Sequence, residues 1–428
     1  MTRLPTEPPR GMRDILPDEA ELRDAMAATI LAVYRRYGFR RIETPALESI
    51  QLLTRGEGGE NEKLIFKVLK RGEKLDLARA TGEADLVDLG LRFDLTVPLA
   101  RYYAHNHARL PRPLKAVQIG PVWRAERPQK GRYRQFTQCD IDILGVRTEV
   151  AEVELLLATT DALGELGLTE LTVRLNDRRL LAAMADWAGF APEGRESVFV
   201  ALDKLDKLDR AAVAAELERA GHPAAAIARM LGLFADLAPE TGLERMRERL
   251  KDRAEDRVFD ALTRLIRAVE GEAAGRFAVV YDPTLVRGMG YYTGPIFEIR
   301  SARFPSSIAG GGRYDGLVGK ILGQDVPATG FSIGFERVVA LRLGQPGGPL
   351  RRDRRIALLF AEETDDLAAA LREARRLRGE GLAVSLEPRA ARMKGQWRAA
   401  LAAQGYDGYA VFEGAGPVAV RWLGAAGS

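Results

Sequence analysis

The segment from Val122 to Gly145 constrains this chain most, because it combines two predicted strands with a strongly basic loop. Side chains alternate along a strand, so every second residue of the second strand shares a face. The first face carries Phe136, Gln138, Asp140 and Asp142. The opposite face carries Thr137, Cys139, Ile141 and Ile143. The second set suits a hydrophobic core, whereas the first offers a ring, an amide and two carboxylates to a ligand.

Cations surround the same hairpin. In the first predicted strand Arg124 shares a face with Glu126. The loop contributes four more cations, Arg127, Lys130, Arg132 and Arg134. Five cations beside carboxylate and amide acceptors suit a polyphosphate bound next to a small polar or cationic ligand. A solvated basic hairpin without a ligand is the other interpretation of this pattern.

Length and composition limit the remaining possibilities. A chain of 428 residues, 46% of them hydrophobic, is long enough for two or three domains with sizeable cores. The net charge of +4 is compatible with a nucleic-acid partner. The single cysteine, Cys139, allows no internal disulfide, and no apolar run approaches about 20 residues. We therefore expect a cytoplasmic protein without a membrane segment, and three histidines alone predict no metal site held by side chains.

Periodicity organises the first part of the chain. Residues 17–37 predict an amphipathic helix, and residues 38–49 predict a strand that runs into a proline. Residues 54–85 are polar and charged, which predicts a mobile loop over the ligand site. The segment LRFDLTVPLARYYA then places Asp94 and Thr96 near the end of a strand, before a helix.

The rest of the chain changes composition twice. Between residues 189 and 255 alanine, leucine, arginine and glutamate dominate without a strand pattern, which predicts a helical insertion. Strand character returns at residues 277–300, and residues 343–354 predict a Gly/Pro/Arg linker. Residues 355–428 alternate strands with helices, which predicts a small domain with a parallel sheet.

Several segments, in this order, resemble the signature motifs of one enzyme family. ERPQKGRYRQF, with its flanking strands, resembles the second motif of class II aminoacyl-tRNA synthetases in the form typical of histidyl-tRNA synthetases. LVRGMGYYTG resembles the segment specific to the histidine enzymes. The helix, strand and proline near the N-terminus resemble the first class II motif. Together the matching segments span nearly the whole chain.

The resemblance implies an architecture. Residues 1–342 would form an α+β class II catalytic domain on a mixed, mostly antiparallel sheet, and the helical insertion would occupy residues 189–255. The insertion would touch the acceptor arm of tRNA, or would have a structural duty alone. After the linker at 343–354, residues 355–428 would form a compact α/β domain of the anticodon-binding type. The first motif builds the dimer interface in this family, so a homodimer is also implied.

The resemblance also implies the substrates L-histidine, ATP and tRNA(His), with Mg²⁺ bridging the β- and γ-phosphates. Positioning and charge neutralisation supply the rate of such a reaction, so arginines rather than a nucleophile are expected. The catalytic arginines implied are Arg124, Arg287 and Arg337. The residues implied to bind ATP are Arg124, Glu126, Arg132, Phe136 and Arg337. Arg124 would hold the α-phosphate and the reacting carboxylate, Arg132 and Arg337 the γ-phosphate, and Phe136 and Glu126 the adenine.

Histidine recognition is implied for a second set of residues. They are Asp94, Thr96, Arg124, Gln138, Asp142, Arg287, Tyr291, Tyr292 and Tyr314. An imidazole needs an acceptor for its ring N–H and a hydroxyl or amide for its other nitrogen, which Asp142, Gln138 and one of the adjacent tyrosines can supply. The glycines of the same segment, Gly288, Gly290 and Gly294, predict close approach of the backbone to the ligand.

The chain departs from the commoner family pattern at Gly290, where many members have aspartate, and at Asp142, where many have glutamate. The C-terminal domain is also shorter than the usual module. Two other functions remain open at this point: a synthetase-like regulatory subunit of ATP phosphoribosyltransferase, and a paralogue that activates an amino acid for another acceptor. Arg124, Arg287 and Arg337 speak against the regulatory subunit, whereas the compact C-terminal domain is compatible with the paralogue.

Overall fold

The computed structural model describes residues 4–57, 59–128, 133–206, 208–235, 242–287, 290–343, 354–389, 396–414 and 417–423. Arg132 and Gly288, both predicted to lie near the ligand, are outside these ranges, as are residues 344–353 of the predicted linker. The chain divides into two compact units, Met1–Pro346 and Gly347–Ser428.

Among the described residues, the first unit contains a large sheet, a small second sheet and the helices given next. Its helices are α1 Pro17–Arg36, α2 Ile50–Glu57, α3 Glu83–Leu86, α4 Thr96–Asn106, α5 Val150–Glu165, α6 Arg178–Ala188, α7 Arg195–Leu202, α8 Arg210–Arg219, α9 Ala224–Ala235, α10 Gly242–Leu250, α11 Asp256–Ala273, α12 Asp315–Leu322 and α13 Phe335–Leu343. Its strands are β1 Arg40–Arg41, β2 Leu47–Ser49, β3 Lys67–Leu69, β4 Val87–Leu91, β5 Leu114–Trp123, β6 Gln135–Leu144, β7 Leu171–Asp177, β8 Phe277–Tyr281, β9 Pro295–Ser301, β10 Ala309–Arg313 and β11 Ala328–Ile333.

The large sheet of the first unit has the strand order β1-β5-β6-β11-β10-β9-β7-β8. Its two outermost pairs, β1 with β5 and β7 with β8, are parallel, and the pairs between them are antiparallel. This confirms the prediction of an α+β core on a mixed, mostly antiparallel sheet. A separate three-stranded sheet has the order β2-β4-β3.

In six neighbouring strands, residues that are paired in register form rows that cross the sheet, and two adjacent rows differ in polarity. One row, which we call the polar row, crosses β5, β6, β11, β10, β9 and β7 through Gln118, Asp140, Ser332, Gly310, Glu298 and Arg174. The neighbouring apolar row crosses the same strands through Val117, Ile141, Phe331, Gly311, Phe297 and Leu175. Because adjacent residues of a strand point to opposite faces, the two rows lie on opposite sides of the sheet.

Helices cover the apolar face. α5 contacts β6 and β11, and it also contacts α1 and α11. Glu152 of α5 and Arg313 of β10 form a buried ion pair at 2.7 Å, which places α5 on the side of the sheet that carries the apolar row. The predicted helix at 17–37 is confirmed as α1, whose predicted apolar stripe is buried. Its buried residues are Leu22, Met26, Ile30, Val33 and Tyr34.

Two local predictions differ from the structure. Residues 54–85 were expected to be a mobile loop, but they contain β3, α3 and part of α2, and Ile65 is buried. The strand that was predicted to run into Pro45 is only two residues long, β1, and an additional strand, β2, begins after the proline, which cannot donate to a ladder. The helices α7 to α10 lie within residues 189–255, and no strand lies among the described residues of this range.

The second unit consists of β12 Arg355–Phe360, α14 Leu367–Gly379, β13 Ala383–Pro388, α15 Trp397–Ala403, β14 Gly408–Val411 and β15 Arg421–Trp422. β12 pairs in parallel with β13 and β14, as the alternating pattern predicted. The antiparallel strand β15 was not predicted. Among the helices of the described residues, none has the length and apolarity needed to cross a bilayer.

Replacing Gly311 with alanine is expected to destabilise the first unit by about 1–3 kcal/mol or more, because the added methyl group would overpack the sheet. A Cβ there would overlap the Gly330 carbonyl oxygen and lie 2.8 Å from Phe331 Cα. The rings of Phe297 and Phe331, which flank Gly311, already meet at 4.8 Å. Urea denaturation measures the loss. Gly316→Ala in α12 is the control, since nothing lies within 4 Å of its Cβ position and helix propensity favours alanine there; equal stability of the two variants would contradict this packing argument.

Candidate active site

The polar face of the large sheet opens into a cavity of about 490 Å³. Its lining includes the polar-row residues Glu298, Gly310 and Ser332. It also includes six of the residues that the sequence assigned to a ligand site, Arg124, Glu126, Phe136, Gln138, Arg287 and Arg337. Residues far apart in the sequence therefore converge here: Phe136 and Gln138 lie on β6, Arg337 lies in α13, and the other three lie in connecting segments.

The sequence predicted that Arg124 lies within a strand, but in the structure it lies immediately after the end of β5. Its backbone N–H still donates to the Arg134 carbonyl at 2.9 Å, which extends the hairpin by one pair. The guanidinium lies 4.3 Å from the ring centroid of Phe93 and 5.1 Å from that of Phe136. Its Nε donates to the Phe93 carbonyl at 3.1 Å. Two rings and one carbonyl thus fix a cation at the edge of the cavity.

The N-terminal segment supports the base of the basic loop, a contact that the sequence did not predict. The Gly11 carbonyl accepts a hydrogen bond from the Arg134 backbone at 2.7 Å, and Arg134 Nε donates to the Glu126 carbonyl at 3.0 Å. Gly11 has a φ of +83°, and a Cβ there would lie 2.7 Å from Pro128 Cγ. A glycine is therefore needed at this position for both backbone conformation and space.

Arg337 and Glu336 begin α13 and have different partners. Glu336 forms a bidentate ion pair with Arg23 of α1, with both distances 2.7 Å, and it accepts the Thr137 backbone N–H at 3.0 Å. Burial opposes the charge of Glu336, but Arg23 and the Thr137 N–H hold the pKa of that carboxyl below its usual range. Arg337 instead donates to the Ser307 carbonyl at the wall of the cavity.

Arg287 lies over β10, with 27% of its side chain exposed. A Cβ on Gly310 would be 2.6 Å from Arg287 Cζ, so the guanidinium occupies the space that a side chain would need. Arg287 Nη1 is 3.8 Å from Glu298 Oε2. Burial opposes its charge, but the Tyr292 hydroxyl and the Glu298 carboxylate raise the pKa of the guanidinium. Arg287 therefore presents a fixed cation to the cavity.

Asp142 is 3% exposed and accepts a hydrogen bond from the Tyr314 hydroxyl at 2.6 Å. It pairs in register with Gly330, and a Cβ on Gly330 would overlap the Asp142 carboxylate. Burial raises the pKa of Asp142 from 3.8 to about 7, the Tyr314 hydrogen bond lowers it, and the charge of Asp94 raises it again. This carboxylate therefore lies in a pocket that favours a hydrogen-bond donor or a cation.

Two further residues of β6, Asp140 and Gln138, extend this polar region towards the cavity. Asp140 accepts a hydrogen bond from Ser332, and burial, followed by the neighbouring Asp142, raises the pKa of Asp140 well above its usual range. Gln138 Oε1 is buried and has no hydrogen-bond partner among the described residues. A ligand that donates hydrogen bonds would satisfy Gln138 and would lessen the repulsion between the buried carboxylates.

The tyrosines predicted for histidine recognition form one aromatic cluster. The ring centroids of Tyr291 and Tyr292 are 4.9 Å apart, and those of Tyr291 and Tyr314 are 5.9 Å apart. The sequence treated residues 291 and 292 as part of a strand with only one ring facing the site, but the segment is a turn before β9. Both rings therefore lie on the same side as Tyr314.

Asp94 lies between β4 and α4, and Thr96 begins α4, so both are near the end of a strand and the start of a helix, as the sequence predicted. Asp94 is 2% exposed, and its Oδ1 accepts the Val97 backbone N–H at 3.0 Å at the start of α4. Thr96 is the first residue of α4 and is buried. Neither residue lines the cavity itself, and the same holds for Asp142 and the three tyrosines. They lie beside it.

The glycines predicted to approach a ligand have more ordinary surroundings. A Cβ on Gly290 would meet Glu196 Oε2 at 3.9 Å, which is normal contact distance, and one on Gly294 would lie 3.1 Å from Arg313 Cδ. The closest approaches to predicted site residues are instead in β10 and β11. There Gly310 lies under Arg287, Gly312 under Tyr292 and Gly330 under Asp142.

The model of the histidyl-tRNA synthetase family matches residues 11–338 of the chain. The chain belongs to the histidyl-tRNA synthetase family. A histidine–tRNA ligase of Leifsonia xyli is 48% identical over 355 residues, which cover 81% of this chain and 82% of that relative. The crystal structure of histidyl-tRNA synthetase from a Nostoc species is 26% identical, with a TM-score of 0.77 over 96% of this chain and 92% of that one.

A third match shows the fold alone. It is a Bacillus halodurans chain described as an ATP phosphoribosyltransferase regulatory subunit/histidyl-tRNA synthetase, with 23% identity and a TM-score of 0.76. The match covers 97% of this chain and 100% of that one. The fold of histidyl-tRNA synthetases is therefore shared with a chain whose description names a regulatory role. An enzyme and a regulatory subunit must then be distinguished by the side chains of the site and not by the fold.

Sequence reasoning missed several residues that line the cavity of this histidyl-tRNA synthetase family member. Among them are Asp203, Glu298, Gly310 and Ser332. Asp203 follows α7 and lies within residues 189–255, the range predicted to be a helical insertion. Glu298 alternates with buried apolar neighbours in β9, which was a usable signal for a polar residue on the ligand face.

Proposed function

We propose that the chain is a histidine–tRNA ligase. It would activate L-histidine with ATP to histidyl-adenylate, release diphosphate, transfer the histidyl group to tRNA(His) and release AMP. The observation that carries this proposal is the charge separation within one site of a family member. Fixed arginines face a cavity of about 490 Å³, while buried carboxylates lie beside it. This arrangement accommodates a polyphosphate next to a ligand that carries an ammonium group and a ring N–H.

In the first step an oxygen of the histidine carboxylate attacks the α-phosphorus of ATP, and the bond to the β-phosphate oxygen breaks. Arg124 and Arg287 would bind the two negatively charged reactants and neutralise the charge that accumulates on the α-phosphate. Phe136, whose ring lies 5.1 Å from the Arg124 guanidinium, would stack on adenine. Arg337 would bind the γ-phosphate, with Arg132 as a second cation for the same group. No covalent enzyme intermediate is needed, so positioning supplies the rate.

Magnesium is part of this proposal as an ion held mainly by the phosphates. Mg²⁺ keeps several waters and binds proteins through one or two carboxylates together with substrate phosphates. Glu126 lines the cavity and lies beside the basic loop. At this position it would suit a water-mediated contact to the ion or a contact to adenine. When bound, Mg²⁺ would offset the charge of the β- and γ-phosphates.

For histidine, we propose that Asp142 accepts the ring N–H and that Gln138 and the tyrosine cluster complete the pocket. Asp94 and Thr96 would meet the α-ammonium group. In the second step a hydroxyl of the 3′-terminal ribose of tRNA(His) would attack the histidyl carbonyl, and AMP would leave. We further propose that the helical insertion and the second unit contact the tRNA, and that the protein acts in the cytoplasm.

The test is histidine-dependent pyrophosphate exchange by the purified chain, followed by charging of total tRNA. We expect exchange that requires histidine and that no other amino acid supports at comparable concentration. Charging should then be restricted to tRNA(His). Exchange without charging of tRNA would favour a paralogue with another acceptor, and no exchange with any amino acid would favour a regulatory subunit; either result would defeat the proposal.

We expect a homodimer of twice 47.0 kDa in solution. The helix α1 and the strands around Pro45 resemble the interface motif of the family, and Leu47 of β2 is 40% exposed. Light scattering at micromolar concentration measures the mass. Leu47→Arg should weaken dimerisation, whereas Leu371→Arg, at a 45% exposed position in the second unit, should not. A monomeric wild-type chain that still activates histidine would contradict this expectation.

A further inference from the structure

Three glycines on the polar face of the sheet lie under three predicted site residues, and one of them, Gly310, lies under Arg287. Its Cβ position is 2.6 Å from both Cζ and Nη1 of Arg287 and 2.7 Å from Nη2. The backbone of Gly310 is not in the left-handed region, so a side chain is excluded by space and not by conformation. The guanidinium therefore lies flat against the backbone of β10.

Glu298 is the residue opposite Gly310 on β9, and it is itself held firmly. It is 3% exposed, and its Oε1 binds Arg174 and accepts a hydrogen bond from Arg300 Nε at 3.0 Å. Its other oxygen, Oε2, is the atom 3.8 Å from Arg287 Nη1. A carboxylate fixed through one oxygen thus offers the second oxygen to the guanidinium.

We propose that Gly310 and Glu298 are positioning residues for Arg287. Gly310 leaves the space in which the guanidinium plane lies, and Glu298 orients it and balances part of its charge. The free face of Arg287 is then directed into the cavity, where the α-phosphate would bind. This inference rests on the proposed function, because it assigns a purpose to the orientation of Arg287 in adenylate formation.

The first test is a double-mutant cycle between Glu298→Gln and Arg287→Ala, measured by pyrophosphate exchange. In the wild-type background Glu298→Gln should lower kcat by about 10- to 100-fold while the KM values for ATP and histidine change by less than about threefold. In the Arg287→Ala background the same substitution should change kcat by less than about threefold. Independent, multiplicative effects of the two substitutions would overturn the proposal.

Asp282→Asn is the matched control for a purely structural effect. Asp282 is the second carboxylate on Arg174, and it does not contact Arg287 in the ion pairs of the described residues. Glu298→Gln and Asp282→Asn should lower the melting temperature by similar amounts, since each removes one negative charge that pairs with Arg174. Only Glu298→Gln should lower kcat. An equal loss of kcat in Asp282→Asn would assign Glu298 to the fold alone.

Gly310→Ala tests the other half of the proposal with a readout that does not depend on activity. A crystal structure of the variant should show the Arg287 guanidinium displaced by more than about 1 Å with the strands of the sheet unchanged. An undisplaced guanidinium would overturn the role of Gly310. If the wild-type chain showed no histidine-dependent exchange, the proposed function would fail, and this structure would still decide whether Gly310 positions Arg287.

Discussion

Arg287→Ala is expected to lower histidine-dependent pyrophosphate exchange by about three orders of magnitude, as removal of a preorganised transition-state contact does. The guanidinium lies in the cavity, held between the backbone of Gly310 and the carboxylate of Glu298, so it is already oriented before ATP binds. The negative charge on the α-phosphate increases in the transition state, and the loss should therefore appear in kcat more than in KM.

Folding and histidine binding should largely survive this substitution, since the buried carboxylate of Asp142 is held by the Tyr314 hydroxyl and not by Arg287. Calorimetric titration with histidine and a thermal melt check both points. Arg147→Ala removes an arginine from an exposed ion pair with Asp325 and should leave exchange unchanged. Exchange by Arg287→Ala within a few-fold of wild type would defeat the assigned role and would favour a regulatory function.

Asp142→Asn is expected to raise the KM for histidine by about 10- to 100-fold and to alter the KM for ATP much less, because a buried acceptor opposite a ring N–H discriminates strongly. An asparagine keeps the shape of the side chain and can still accept the Tyr314 hydroxyl hydrogen bond. Steady-state exchange with each substrate varied in turn measures both constants. Wild-type values for both would make Asp142 a structural strand residue and would move the specificity to the tyrosine cluster.

The pKa of about 7 for Asp142 gives this prediction a pH dependence. The carboxyl is neutral below about pH 7 and then no longer offers an anionic acceptor, so kcat/KM for histidine should fall as the pH is lowered through 7. The imidazole of free histidine titrates near 6.5 and affects the wild-type protein and the Asp142→Asn variant alike. The difference between the two pH profiles therefore isolates Asp142, and superimposable profiles would contradict the assignment.

The same substitution should stabilise the ligand-free protein at high pH. A carboxyl whose folded pKa lies above its unfolded value loses stability as the pH rises from about 4 to about 7, and the deficit persists above that range. Asparagine has no such deficit, so Asp142→Asn should be more stable by up to about 4 kcal/mol at pH 8 and by only about 1 kcal/mol at pH 4.5. Denaturation at the two pH values compares them.

The sequence was informative wherever alternation or helical spacing was intact. The two faces of β6 follow directly from its alternating residues, and α1 follows from its apolar stripe. The position of Arg287 was not predictable in the same way. The segment Ala309–Arg313 contains three consecutive glycines, which have no side chains from which a face could be assigned. Only the pairing of β10 with β9 brings Gly310 opposite Glu298, and such long-range register is not contained in local patterns.

The polar row and the apolar row also limit which misfolded forms of this enzyme can be stable. They run through consecutive residues of the same six strands, so a slip of one residue in a strand other than β10 would exchange a polar side chain of the site face for a core side chain. Such a slip would put charges into the hydrophobic interior and would abolish packing as well as catalysis. A molecule whose hydrophobic interior is packed correctly therefore also has the strands that carry the site in their correct register. Damage to this protein should produce either unfolded chains or folded chains with one altered side chain, and few stable molecules with a misaligned site.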